Sequence, residues 1–568
     1  MNTETLKRHG LGALASKRTW WTVMVVYILM ILVIIGPALL SSIVGDDTYW
    51  VIEKRPLIDS YWQAWWQPLT EAFDFNAQPR GTALAISERR VLALFTMDTA
   101  TLFAVPPYLV WAAIKASLVG INIVSVAVFL KQIRFRNQFG AIHGLSRATI
   151  VFITLAMPLT FALGVKSQNI GSLNGYNYYP SLTYGPFASY LLMAALVLAL
   201  SRRLETSYRT WAVVVVFLMM SLGLIINLSY ELVALTIPVA TLVLLLQPFS
   251  EAPTRWLRWR ARLTVLVPLG FTYTAIFLWV RRRISAMACH ATDTCYPGTE
   301  IEVHPKTLLD NFLGSLPGNN SSLVGDQARD AGRAFPGVST LSFTVAVVAT
   351  LSLLLLWASW TVRARLTHEP AEGNRVPGSA DETKGLLIVL SVAAVIALGS
   401  AAIMGISVAA AIAVTSPALP NRNGVITWSA LALVGVVVVR LIMLVRWRFV
   451  RPTGLMALAL ALVVGISLFL PRNILSAQEN RAMPFQILVD SIHREVAVGD
   501  TSKAGDSRRC AAIAAAFRGT EIPNGNVTPT GVTKTLNGAY AAFDYYHGMT
   551  YCSRDLGRTY SGTMGVKP

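Results

Sequence analysis

Two adjacent carboxylates, Asp46 and Asp47, come straight after the first long apolar run of the chain. Each carboxylate raises the proton affinity of the other, and nearby hydrocarbon disfavours both charges. The pair is therefore expected to titrate above the usual carboxylate range. An acid tuned in that direction suits proton abstraction near neutral pH. The chemistry on offer is general-base activation of a hydroxyl at a membrane surface. A helix-end turn with two solvated acids would read the same way.

A base of this kind would work beside an anionic group held by cations. Candidate phosphate ligands are Arg80, Arg89 and Arg90 downstream of the acids, Lys166, and the run Arg281-Arg282-Arg283. Arginine favours the role because its planar fork binds phosphate through two hydrogen bonds. Lys115 lies inside an apolar run, where a charge is expensive and is by default a functional candidate, unless it snorkels outward. Tyr49 and Trp50 adjoin the acids, and Tyr176, Tyr178 and Tyr179, with Asn174, could stack on sugar rings and hydrogen-bond their hydroxyls. Glu231 could shape the same cavity. An interfacial aromatic belt explains the tyrosines almost equally well. The seven histidines show no metal-ligand spacing. No metal or other cofactor is assigned, although the acidic pair could hold a divalent cation. Gly-rich phosphate loops, nucleophile elbows and zinc signatures are missing from the sequence, which disfavours ATPase, hydrolase and protease chemistry.

The elements that must position these groups are membrane spans. The 568 residues are 54% hydrophobic and only 14% charged, with a mean hydropathy of +0.52. Soluble domains carry roughly 25% charged residues. About 11 stretches approach the ~20 apolar residues that cross a bilayer as helix. They are Trp20–Ser42, Val105–Leu130, Thr149–Val165, Phe187–Ser201, Thr210–Ile226, Leu232–Pro248, Leu263–Val280, Leu341–Val362, Leu386–Ile406, Trp428–Val445 and Gly454–Leu470. The first is too long for a signal-peptide core and reads as a retained anchor.

Basic residues mark alternate connections, for example Lys131, Arg134 and Arg136, then Arg202 and Arg203, then Arg446 and Arg448. By the positive-inside rule the N-terminus is cytoplasmic and, with an odd span count, the C-terminus lies outside. The net charge of +18 is mostly this signal, so no nucleic-acid partner is implied. Arg440, near a cytoplasmic helix end, is expected to snorkel. The four cysteines, Cys289, Cys295, Cys510 and Cys552, all fall on the outer side, where disulfides persist. Pairing of neighbours, Cys289–Cys295 and Cys510–Cys552, is one of three connectivities.

The reading is thus an all-α polytopic membrane protein with a membrane domain at 1–470 and outer loops at 43–104 and 281–340. A small mixed extracytoplasmic domain follows at 471–568, with helices near Met483–Val498 and Ser507–Phe517 and then turns with an aromatic cluster. Within the first outer loop, Tyr61, Trp62, Trp65, Trp66, Leu69 and Phe73 recur at helical spacing, as in an amphipathic helix lying in the interface.

One span, then an acidic pair opening a long outer loop, resembles the GT-C superfamily of polyprenyl-phosphate-sugar glycosyltransferases. The motif Asp46-Asp47-Thr48-Tyr49 is most similar to that of the actinobacterial arabinofuranosyltransferases, although their large carbohydrate-binding C-terminal domains are missing here. The resemblance implies an inverting transferase in a bacterial plasma membrane, with Asp46, the first acid of the motif, as base rather than Asp47. It would move a sugar, arabinofuranose in the nearest case, from a polyprenyl-phosphate donor to a cell-envelope glycan. Rival readings are a lipid-linked glycan flippase or transporter and a polysaccharide polymerase or ligase. Transporters of the alternating-access kind carry internal repeats and broken helices, and neither is evident in this sequence.

Overall fold

The structure, a computed structural model, describes residues 17–40, 42–43, 47–73, 83–136, 141–164, 180–229, 231–247, 254–286, 305–306, 309, 338–367, 379–405, 421–444, 450–482, 484–518 and 529–554. Among these the protein is helical apart from one two-stranded hairpin. Helix α1 (Lys17–Leu39) is followed by the short α2 (Asp47–Glu53), α3 (Tyr61–Phe73), α4 (Ala83–Phe103) and α5 (Pro107–Gln132). Strands β1 (Arg134–Arg136) and β2 (Ile142–Gly144) then pair antiparallel, with Phe135 opposite His143. Helices α6 (Arg147–Gly164), α7 (Pro180–Leu228), α8 (Thr236–Leu246), α9 (Arg255–Ser285), α10 (Val338–Thr367), α11 (Ser379–Gly405), α12 (Asn421–Leu444) and α13 (Val450–Ala482) complete the bundle. Three more follow: α14 (Pro484–Val498), α15 (Lys503–Arg518) and α16 (Pro529–His547).

Eight of these helices are long and apolar enough to cross a membrane. Their outer faces fit lipid rather than water, since Phe217 and Phe271 are 67% and 68% exposed. Among the eight is a 44-residue stretch, Gly185–Leu228. As one straight helix it would be about 65 Å long, twice the hydrocarbon thickness. It is not straight. Ser207 has a non-helical backbone (φ −145°, ψ 58°), and residues from both sides of it, Leu192 and Ile225, line one cavity. The two halves therefore fold back on each other, with Arg202, Arg203 and Arg209 at the elbow. Thr149–Val165 and Leu232–Pro248 correspond to shorter apolar helices, Arg147–Leu159 and Leu232–Leu246.

Arg440 does not snorkel. It is 8% exposed, donates from Nε to Thr149 Oγ1 at 2.8 Å, and pairs with Glu382 at 3.5 Å. Glu382 also accepts from the Ser146 amide at 2.9 Å. This polar knot ties α6, α11 and α12 together. Beside it, Gly385 lets α11 approach the hairpin closely, because a Cβ there would stand 2.7 Å from the Phe135 ring. The hairpin itself, six paired residues between two spans, carries no periodicity that betrays it.

A second apolar core is distinct from that of the bundle, although α5 contributes to it. Ile43, Val51, Ile52, Met97 and Trp111 pack in it with Leu488, Ile492, Val496, Ile513, Leu536, Phe543 and Tyr551. The segment around the acidic pair and the C-terminal helices thus share one interior. The mixed character expected of the tail gives way, among the described residues, to three helices. The third stands where the sequence suggests turns; Pro529 opens it, at a position where a missing N–H removes nothing. Arg509 is the strut of this unit: 1% exposed, it donates to the Tyr551 carbonyl at 2.6 Å and to that of Asp500, and stacks 4.2 Å from the Phe543 ring. Cys510 and Cys552 form the expected disulfide, with Cα atoms 5.2 Å apart. Cys289 and Cys295 lie outside the described residues.

Candidate functional site

Asp47 is the first residue of α2, which also carries Tyr49 and Trp50; Asp46 lies outside the described residues. The same holds for Arg80, Lys166, Asn174, Tyr176, Tyr178 and Tyr179. Glu231 opens a short 3-10 turn, Glu231–Leu235, between α7 and α8.

The surroundings of α2 can be built residue by residue. Downstream of Asp47, the Trp50 ring takes Arg89 of α4 at 4.0 Å and Lys54 at 4.5 Å over its π system. The ring's negative face attracts both cations. Arg90 faces the other way, donating to Gln67 of α3 at 3.3 Å, and burial pulls its guanidinium below the usual arginine range. Of the candidate phosphate ligands Arg80, Arg89 and Arg90, Arg89 is thus the one that the described residues show beside α2.

Lys115 does not snorkel either. It is completely buried on α5, two turns beyond Tyr108, and Arg481 of α13 lies within electrostatic range of it. Arg481 stacks 4.8 Å from the Tyr108 ring and donates to the Leu40 carbonyl at the end of α1. Arg481 therefore stands where the chain leaves α1 for the acidic pair. The run at 281–283 behaves differently. Arg281 and Arg283 lean over Phe277 and Trp279 of their own helix, at 5.4 and 5.1 Å, and α9 packs on α7 and α8.

A cavity of ≈ 360 Å³ opens between α4, the two halves of α7 and the turn into α8. Its walls are apolar (Leu192, Met193, Leu196, Leu222, Ile225 and Ile226), with hydroxyls from Ser189, Ser229 and Thr236. One lining side chain is ionisable, Glu88, which immediately precedes Arg89 on α4. The cavity and α2 are thus connected through consecutive residues of a single helix.

Sequence reasoning missed Glu88, Arg481 and a further acid, Asp98. Asp98 accepts from the Tyr61 hydroxyl at 2.8 Å and the Tyr546 hydroxyl at 2.7 Å, and pairs with Arg55 at 3.2 Å. Burial, with the Asp98 hydrogen bond second, pushes the Tyr61 phenol up to about 12. Glu88 had a weak signal, an acid beside two arginines in an apolar helix. Asp98 and Arg481 had none, since their partners lie far away in sequence. Among the described residues no group of acids, histidines and cysteines could hold a metal ion. Comparison with protein families, with characterised proteins and with solved structures gives no match.

Proposed function

We propose that the protein is an inverting membrane glycosyltransferase that moves a sugar from a polyprenyl-phosphate donor to a cell-envelope glycan. It would span a bacterial plasma membrane about 11 times, the folded-back α7 counting twice and the two shorter apolar helices once each. The basic connections favour a cytoplasmic N-terminus and an outer C-terminal unit.

One observation carries the reading. The helix that begins at Asp47 touches, through Trp50 and Arg89, the helix whose Glu88 lines an apolar cavity. That juxtaposition supports the reading, because the reaction needs a base, cations and a greasy groove for an isoprenoid chain close together. Asp46 would take the proton of an acceptor hydroxyl as its oxygen attacks the anomeric carbon. The bond from that carbon to the phosphate oxygen breaks, and the phosphate leaves with the electron pair. Lys115, Arg481 and Arg89 would balance the charge that develops on it. Attack opposite the leaving group inverts the anomeric centre.

The test is transfer of labelled sugar from polyprenyl phosphate to an envelope glycan by protein in proteoliposomes. Asp46→Asn and Asp47→Asn should lower the rate by roughly 10²–10⁴-fold for the residue that acts as base, with the protein still folded. Full activity in both single variants would overturn the assignment. Movement of lipid-linked glycan across the bilayer without transfer would favour the flippase reading instead.

A further inference from the structure

The acidic pair is bracketed by residues that lie more than four hundred positions away in the chain. Ser42 and Ile43 are completely buried. The Ser42 hydroxyl donates to Asp490 Oδ2 at 2.6 Å, and Gln486 Nε2 donates to the Ile43 carbonyl at 3.1 Å. The same Gln486 amide donates to Asp490 Oδ1 at 3.0 Å, so both anchors lock each other one turn apart on α14. Arg481 holds the Leu40 carbonyl just upstream. Helix α14 is itself fixed, because Leu488, Ile492 and Val496 are buried in the second apolar core. Beyond the acids, Gly538 of α16 meets the backbone of Glu53 at the end of α2.

We infer that Gln486 and Asp490 are positioning residues for the acidic pair, so that the C-terminal helices are part of the reaction centre rather than an appended unit. Residues 44–46 are all that separate Ile43 from Asp47, so a fixed Ile43 limits how far the acids can travel to about 14 Å of extended chain. A displacement of about 1 Å is enough to lower a rate by about 10²-fold, which gives rigid anchoring a catalytic consequence. The consequence for rate rests on the proposed transferase reading; the anchoring does not.

The experiment uses full-length protein in detergent and measures amide exchange by mass spectrometry. In Gln486→Ala and Asp490→Ala, exchange across residues 44–50 should rise on the order of tenfold, as expected for loss of one or two hydrogen bonds, while residues 17–39 are unchanged. Ser42→Ala deletes one oxygen and should give a smaller rise in the same place, which keeps the test valid where Asp490→Ala does not fold. In transfer assays the three variants should lower kcat with the donor KM unchanged, a split that general loss of folded protein would not give. Unchanged exchange at 44–50, or exchange rising equally throughout the chain, would overturn the inference. Should Asp46→Asn and Asp47→Asn both prove fully active, the transferase reading falls, and the exchange result still decides the anchoring by itself.

Discussion

Gly538 of α16 stands against the backbone of Glu53, and a Cβ built on it would lie 3.3 Å from the Glu53 Cα. The neighbour is backbone and cannot swing aside as a side-chain end could. Two effects oppose each other on substitution. A helix-interior glycine replaced by alanine gains about 1 kcal/mol of helix propensity, whereas overpacking at such a contact typically loses 1–3 kcal/mol. Gly538→Ala should therefore be near neutral in thermal unfolding. Gly538→Val adds bulk with less propensity gain and should destabilise by about 1–3 kcal/mol. Equal, wild-type-like melting of both variants would show that α16 does not press on α2.

Asp98 joins three donors from separate segments, Arg55, Tyr61 and Tyr546. It is partly exposed, so solvent screening lowers the worth of its ion pair. Asp98→Ala should still destabilise by about 1–3 kcal/mol, because two tyrosine hydroxyls lose their acceptor. Asp98→Asn keeps an acceptor oxygen for one of them and should lose less. The Tyr61 phenol, held at about 12 chiefly by burial and then by Asp98, should titrate lower in Asp98→Asn, read by ultraviolet absorbance. An unmoved phenol would mean that Asp98 does not reach it.

How far the sequence reached depends on the range of the interaction. Spans such as Leu341–Val362 were legible because lipid rewards apolar residues one by one, whatever their neighbours. The fold-back at Ser207 was implied by Arg202, Arg203 and Arg209 interrupting the apolar run, since charges are costly at mid-membrane. Cys510 and Cys552 could be paired as neighbours in the sequence, one of the three connectivities that four cysteines allow. The bonds from Ser42 to Asp490 and from Ile43 to Gln486 were not legible. Each is a single polar contact across 448 and 443 positions, respectively, and leaves no period or spacing to read. The same is true of Arg440, whose partners Glu382 and Thr149 make burial tolerable where solitary charge would have forced it outward.

Acid should loosen the C-terminal helices before the bundle. The Ser502 and Arg508 hydrogen bonds hold the Asp500 carboxyl down at about 2, and Ser553 lowers Asp506 likewise. A carboxyl depressed on folding stabilises above its unfolded pKa, near 4, and that contribution is lost as pH falls through the folded value. Thermal unfolding followed from pH 5 to pH 2 should show the Tm of the 484–554 segment falling across that window. Asp500→Asn should flatten the fall. A fall of equal size in Asp500→Asn would remove Asp500 from the account.

Arg440 and Glu382 allow a sharper test, because each is almost fully buried and each is satisfied by more than the other. Removing one charge strands its partner in low dielectric, which typically costs about 3–5 kcal/mol. Arg440→Met keeps the aliphatic stem but leaves Glu382 facing the Ser146 amide with no cation, and should be strongly destabilised. Glu382→Gln in the same background removes the stranded charge while its carbonyl oxygen still accepts from Ser146. The double variant should therefore be more stable than Arg440→Met alone, an inversion of the usual additivity of damage. Unfolding in detergent, compared across wild type, both single variants and the double, measures the coupling. If the double variant loses the sum of the two single losses, the groups act independently. The polar knot at α6, α11 and α12 would then be three separate contacts, and the tolerance of Arg440 inside the bundle would need another cause.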